Sequence, residues 1–295
     1  MKRILGLIAV AGMFATAAQA QVNTFTLNDG LYRYSVGGLN TAAARTGTGG
    51  GTSANFGLAS GAGTAVTADY LWQNHFWYRS AGDAREFALS NMTFSTALGG
   101  NAFFARYVEP IGGSATANGT LSFELNYTLN QITPTSAALT INWSIVNNSN
   151  SNQVVSFFSY ADSDIGGAGN DSGTYTAGSG VNFYRNDDVV PPGNGSFFTM
   201  GADLRLNDRW NIGPFSGVTS PLTALSDVNL NNLTNLDSVA GAADNASAMQ
   251  WEGLSIDAGS TVGGRLTFGY NYVIPTPGAA ALLGLGGLVA LRRRR

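Results

Sequence analysis

Asp162, Asp164 and Asp171 are the residues of this 295-residue chain best placed to do chemistry. Gly166 and Gly167 lie among them and permit a tight loop. Carboxylates at relative positions 1, 3 and 10 could supply oxygens to Ca²⁺, a hard cation that takes carboxylate and carbonyl ligands. The set is not an EF-hand. Its position 5 is Gly166 and its position 12 is Gly173, where that loop places a further oxygen ligand and a bidentate glutamate. The competing reading is an Asx-rich turn with solvated carboxylates.

Other chemistries are poorer in candidates. His75 is the single histidine and there is no cysteine, so a zinc site built from several His or Cys cannot form. A Ser-His-Asp triad would have to use His75, yet no Gly-x-Ser-x-Gly elbow is present. No P-loop or dinucleotide fingerprint occurs. His75 sits in Trp72-Gln73-Asn74-His75-Phe76-Trp77-Tyr78 and is expected to be a strand residue packed among rings. Glycosidase chemistry needs two carboxylates on one cleft. The glutamates Glu86, Glu109, Glu124 and Glu252 are far apart in sequence and are expected to be solvated surface groups. Trp72, Phe76, Trp77 and Tyr78 could stack on sugar rings, although aromatics at strand spacing more often fill a core. The expectation is therefore a protein that is not an enzyme, with no cofactor beyond a candidate Ca²⁺.

The elements that must position these groups read as strands. Leu121, Phe123, Leu125, Tyr127 and Leu129 alternate with polar residues, as do Leu139 to Ile145 and Leu266 to Tyr272. Each run would bury one face of an antiparallel sheet. Gln153 to Tyr160 is apolar on both faces, which predicts a central strand. The apolar parity of Met249 to Ile256 shifts at Gly253, a candidate bulge. Asn28-Asp29-Gly30 reads as a hairpin turn. Turn-rich gaps are expected at 37–64, 111–119, 162–180, 187–195 and 241–246. Ser220-Pro221 can start one short helix, and Leu230, Leu233 and Leu236 continue in an irregular or 3₁₀-like pattern. The fold class predicted is all-β, an antiparallel β-sandwich with one short helix, as one domain over 21–274.

Composition narrows the partners. Only 11% of residues are charged. Between residues 21 and 274, nine arginines face 18 acidic residues, a net charge of about −9. An acidic body repels phosphate backbones, so no nucleic acid is expected to bind. Divalent cations or polysaccharide are better suited. Without cysteine the body has no disulfides, and burial alone must hold it.

Both ends read as addresses. Lys2 and Arg3, the apolar run Ile4 to Ala15, and the small residues Ala18 and Ala20 form a signal peptide over 1–20, with cleavage before Gln21. At the other end, Pro275, Thr276, Pro277 and Gly278 precede an uncharged hydrophobic helix over 278–291, followed by Arg292, Arg293, Arg294 and Arg295. Fourteen helical residues span about 21 Å, short of the ~30 Å hydrocarbon core, which suits transient anchoring in the inner membrane. The arginines place the C-terminus on the cytoplasmic side.

This tail, residues 275–295, resembles the PEP-CTERM sorting signal of bacterial envelope proteins: a proline-bracketed motif, a hydrophobic helix and a terminal arginine cluster. Thr276 stands where that family usually has glutamate. The resemblance implies the export machinery and an exosortase-like processing enzyme as partners. The body also resembles ectodomains carried by such proteins, through Tyr160-x-Asp162-x-Asp164-x-Gly166-Gly167 and, later, Asp244, Trp251 and Ala258-Gly259-Ser260. That likeness implies a sandwich and no particular chemistry. The reading reached is an exported protein of the cell envelope, cell surface or extracellular matrix. The alternative is a carbohydrate-binding or adhesive module, Ca²⁺-assisted.

Overall fold

The computed structural model describes residues 24–37, 52–59, 66–109, 120–165, 169, 171–178, 180–188, 196–227, 229–237 and 243–272. The leader, the Gly166–Gly167 turn and the tail lie outside these residues, and with them the cleavage and sorting motifs.

Two sheets face each other, antiparallel except for one short parallel pair at the edge of the first. The first begins with a hairpin of β1 (Phe25–Asp29) and β2 (Tyr32–Val36). Its turn falls one residue later than expected, with Asp29 paired to Tyr32 and Gly30 at φ +56°. The sheet continues through β3 (Thr52–Ala59), which also carries β4 (Val66–Asp69), to β5 (Gln73–Ser80), which carries β6 (Phe87–Ala88). The second sheet takes over the chain with β7 (Met92–Ala97), β8 (Ala102–Val108), β9 (Leu121–Thr133) and β10 (Ser136–Asn147).

The chain then returns to the first sheet for β11 (Gln153–Ser163), and crosses again for β12 (Asp171–Ala177), β13 (Asn182–Asp188) and β14 (Phe197–Asp203). It ends with β15 (Arg209–Pro214), helix α1 (Pro221–Ser226), β16 (Leu236–Asp237) and β17 (Asn245–Ile256) on the first sheet, and β18 (Thr261–Tyr270) on the second. The spatial orders are β1-β2-β3-β5-β11-β17-β15-β16 and β12-β13-β14-β18-β10-β9-β8-β7.

The alternating runs behave as their patterns require. β9, β10 and β18 pair in register, so that Leu129, Leu139 and Phe268 share the buried face. Burying one face of each strand removes apolar surface from water at about 25 cal/mol per Å². Across the sandwich, Trp143 of β10 meets Phe157 of β11 and Trp251 of β17 with ring centroids 4.9 and 5.0 Å apart. Phe25 stacks on Phe103 at 3.9 Å near one end.

β11 is central, between β5 and β17. Its second apolar face is explained by a further layer. Phe158 and Tyr160 pack with Trp77, Ala246 and Ala248 beneath Leu225 of α1 and Leu233. Ser220 caps α1, its hydroxyl accepting from Leu222 N at 3.2 Å. Beyond α1 no helix continues. Leu233 is buried, while Leu230 and Leu236 are exposed, and the chain runs into β16.

Gly253 is a bulge residue. The β11–β17 register slips between Val155 and Phe157, and Gly253 takes φ +60°. Two expected turn regions contain strands instead, β3 and β12. Both are rich in Gly, Ser and Thr, and backbone pairing with apolar neighbours recruits them despite weak patterns of their own. Among the described residues no helix is long and apolar enough to cross a membrane. The hydrophobic helix expected over 278–291 lies outside them.

Candidate functional site

β11 carries Asp162 to one end of the first sheet. Alternation puts Tyr160 and Asp162 on the outer face, and register sets Asp162 beside Gln73 of β5 and Ala246 of β17. Ser163 points to the opposite face, opposite Asn245. Asp164 follows just past the strand. Asp244 immediately precedes β17, so the antiparallel turn of the sheet brings it to the same end. Asp171, the first residue of β12, is pinned there by a reciprocal pair of backbone bonds with Ala243, of 3.1 and 3.0 Å.

The structure thus brings Asp162, Asp164 and Asp171 together, and adds Asp244. It corrects the expectation of solvated carboxylates. Asp162 is 2% exposed and Asp171 0%, while Asp164 and Asp244 are half-buried. The reason is the crossover: a loop leaving one sheet for the other is sealed at its root by both.

Their partners are few. Asp171 Oδ2 accepts from Asn186 Nδ2 at 2.9 Å and from Ile165 N at 3.3 Å. Asn245 Nδ2 donates to Asn186 Oδ1 at 3.4 Å. Asp162 Oδ1, Asp164 Oδ1, Asp171 Oδ1, Asn245 Oδ1, Gln73 Oε1 and the Tyr160 hydroxyl are buried without a hydrogen-bond partner. No arginine forms an ion pair with any of the four aspartates among the described residues.

The electrostatics follow. Burial, then the charges of Asp244, Asp164 and Asp171, pushes the Asp162 carboxyl up to about 8. Burial lifts Asp171 to about 8, against the opposing hydrogen bonds from Ile165 and Asn186. Burial raises Asp164 and Asp244 as well, Asp164 with help from the charge of Asp244. Tyr160 is raised by burial and by the charges of Asp162 and Asp244. A carboxyl with a pKa near 8 holds its proton at neutral pH. Among the described residues no group of three or more His, Cys, Asp or Glu side chains is placed to hold a metal ion.

The glutamates are placed differently from expectation. Glu86 and Glu109 are buried, not solvated. Glu86 Oε1 accepts from Arg79 Nη1 at 2.6 Å, and Arg79 Nη2 donates to Asn232 Oδ1 at 2.6 Å. Asn232 Nδ2 in turn donates to Glu252 Oε1 at 2.8 Å, whose other oxygen accepts from Arg209. Burial, opposed by Arg79, leaves the Glu86 carboxyl at about 7. Glu252, Arg79 and Asp83 line a surface cleft, with Glu86 behind Arg79. Asp83 Oδ2 is held by Ser80 N at 2.8 Å. Ser80 Oγ donates to Glu109 Oε1 at 3.1 Å. Glu124 pairs with Arg106 across the outer face of the second sheet.

His75 lies on β5, buried edge-on to Trp77 at 5.0 Å, as its aromatic surroundings suggest. Phe76, Trp77 and Tyr78 are core residues, so the expected aromatic cluster does not form a surface platform. Trp72 is 53% exposed. Its backbone N donates to Asp162 O at 2.8 Å, which places this ring-bearing residue at the carboxylate end of the sheet.

Spacing alone pointed to Asp162, Asp164 and Asp171. Asp244, Asn245 and Asn186 escaped it, because their approach depends on strand register. Asp244 carried two signals, its place in the resemblance to ectodomains and its position just before a strand whose parity could be read.

No family model matches this chain, and no curated protein matches it. Among solved structures it is similar to a polysaccharide lyase at 9% identity with a TM-score of 0.46, covering 84% of this chain and 34% of the lyase. It is similar to a putative kojibiose phosphorylase from human microbiome at 7% identity and TM-score 0.35, over 83% of this chain and 26% of that one. A third likeness is to the Slr1438 protein of Synechocystis sp. PCC 6803, at 8% identity and TM-score 0.41, over 86% and 98%. The chain thus spans about a third of the lyase and a quarter of the phosphorylase, and these scores carry no functional argument.

Proposed function

We propose that this chain is an exported, non-catalytic protein of the cell envelope, cell surface or extracellular matrix. Its β-sandwich is delivered through a C-terminal sorting tail after removal of an N-terminal leader. One observation carries the reading: the folded body fills the interval between the two signals. β1 starts at Phe25, just after the cleavage point before Gln21, and β18 ends at Tyr270, just before Pro275. Every described strand lies between the two signals, so their removal would take away none of these strands. The test is fractionation of cells making the full chain or a form lacking residues 275–295. The full chain should reach the surface or medium, and the truncated form should be retained or misrouted. Equal surface yield from both forms would sink the sorting role.

A second reading, a carbohydrate-binding or adhesive module, is favoured by Trp72, an exposed residue whose backbone bonds that of Asp162 at the end of the first sheet. Indole faces stack on sugar rings. Affinity electrophoresis through polysaccharide gels should show retardation that Trp72→Ala abolishes. Identical migration of wild type and variant in every gel would remove this reading.

A further inference from the structure

We propose that one end of the sandwich docks on the lipid bilayer, with Leu31, Leu98 and Ile132 dipping into its interface. This rests on the anchoring role given above to the tail, and adds which face of the body meets the membrane. Two observations carry it: where exposed apolar side chains gather, and where the chain leaves the body.

Leu31, Leu98 and Ile132 are 55%, 59% and 47% exposed. Exposed apolar residues scattered singly are ordinary on a soluble surface. These three instead sit on neighbouring turns that are bonded to one another. Leu31 N donates to Gln131 Oε1 at 2.7 Å, next to Ile132. Gln131 N donates to Asp29 Oδ2 at 2.7 Å. Asn28 N donates to Gly100 O and Leu129 N to Asn101 O, both at 2.8 Å, which ties in the turn headed by Leu98. Residues 28–32, 98–101 and 131–136 contain one charged group, Asp29, and its carboxylate is engaged by Gln131. At the opposite end of the sandwich, the turns 148–152 and 257–260 hold no apolar side chain larger than Ala258.

The chain leaves the body at the apolar end. Tyr270, the last residue of β18, pairs with Ala137 just past the 131–136 turn, and its ring stands edge-on to Tyr32 at 5.2 Å. Hydrogen bonds hold the chain as far as Tyr272. Asn271 N donates to Phe197 O at 2.9 Å, and Tyr272 O accepts from Thr199 Oγ1 at 2.8 Å. Residues 273–277 alone separate Tyr272 from the uncharged apolar run that begins at Gly278. Fully extended, a stretch of that length reaches about 20 Å. A body tethered so closely at this end presents this end to the bilayer. Its leucine and isoleucine tips gain by leaving water for the interface.

No Lys or Arg lies in the three turns, so the test uses the full chain in uncharged phosphatidylcholine vesicles. The chain has no cysteine. Leu31→Cys, Leu98→Cys, Ile132→Cys and, at the opposite end, Ala258→Cys therefore each carry a single polarity-sensitive fluorophore. Flotation with the vesicles reads anchoring by the tail. The three tip probes should shift to the blue and lose most of their emission to a nitroxide on the lipid headgroup, while the probe at Ala258 should do neither. Floating protein whose tip probes stay as bright as the one at Ala258 would leave the anchor standing and overturn the docking. Protein that stays out of the vesicles would overturn both. Tip probes shielded from the nitroxide but cross-linked between copies would assign this surface to a second copy of the chain, and would overturn the proposal as well.

Discussion

Trp143 and Trp251 meet across the two sheets with their indoles 5.0 Å apart and inclined at 58°. They differ in one polar contact. Trp251 Nε1 donates to Arg205 O at 2.9 Å, whereas Trp143 Nε1 is buried without a partner. Replacing either by alanine removes the ring and leaves a cavity, at a cost of about 3–5 kcal/mol. Replacement by phenylalanine separates them. Trp251→Phe also strands a carbonyl, adding about 1–3 kcal/mol, while Trp143→Phe removes an orphaned donor. Urea unfolding should therefore rank Trp251→Phe as the more damaging. The reverse order would mean the Arg205 bond contributes nothing.

Gly253 and Gly264 test two different uses of glycine. At Gly253 an added methyl would meet open space, but φ is +60°. The cost of Gly253→Ala is then the left-handed backbone, about 1 kcal/mol. At Gly264 the methyl would sit 2.7 Å from Trp143 Cζ2. That ring is held by Phe157 and Trp251 and cannot retreat. Gly264→Ala should cost about 2–3 kcal/mol by overpacking. Chemical denaturation of both variants gives the order directly.

The same contrast shows what could be read before the fold was known. The bulge at Gly253 announced itself as a slip in apolar parity, because a strand's period of two makes any insertion visible. Likewise β9, β10, β11 and β18 follow from their patterns. β3 and β12 were hidden: Ser53 to Ala59 and Asp171 to Ala177 are dominated by Gly, Ser, Thr and Ala, and neighbouring strands supply their order. Of the candidate site, three aspartates were legible by spacing. Their burial was not, since a loop between sheets reads like any polar turn. Asp244 and Asn186 belong to the site only through the pairings of β17 and β13, which no local pattern encodes.

Arg79 holds the buried Glu86, and its removal should be sensitive to pH. The glutamate side chain is 0% exposed. Leaving such a charge unpaired costs about 3–5 kcal/mol. A carboxyl can instead take up a proton, and that of Glu86 already sits at about 7 with Arg79 present. Arg79→Met should therefore be more destabilising at pH 8 than at pH 5. The exposed pair Arg106–Glu124 sets the scale for comparison. Arg106→Ala should change stability by about 1 kcal/mol or less at either pH. Equal losses for Arg79→Met at both pH values would show that Glu86 stays ionised.

His75 and the aspartate group should act on stability in opposite directions as pH changes. Burial holds the His75 imidazole down to about 4, partly offset by a hydrogen bond with the Leu89 backbone. An unfolded histidine titrates near 6.5. The folded state therefore binds fewer protons between those values, and the stability from His75 is complete above 6.5 and lost as pH falls through 4. Asp162 and Asp171 run the other way. Both are raised from 3.8 to about 8, so their contribution is complete below 3.8 and lost as pH rises through 8. Asp164, Asp244 and Glu86 shift in the same sense. Between pH 4 and 6.5 the two aspartates outweigh the one histidine, and above 6.5 they act without it, so the urea midpoint should fall from about pH 4 to about pH 8, most steeply above 6.5. Asp162→Asn should flatten that fall, while His75→Gln should leave it unchanged above pH 6.5 and steepen it below. A wild-type midpoint that holds level or climbs between pH 6.5 and 8 would mean the aspartates are ionised in the folded state.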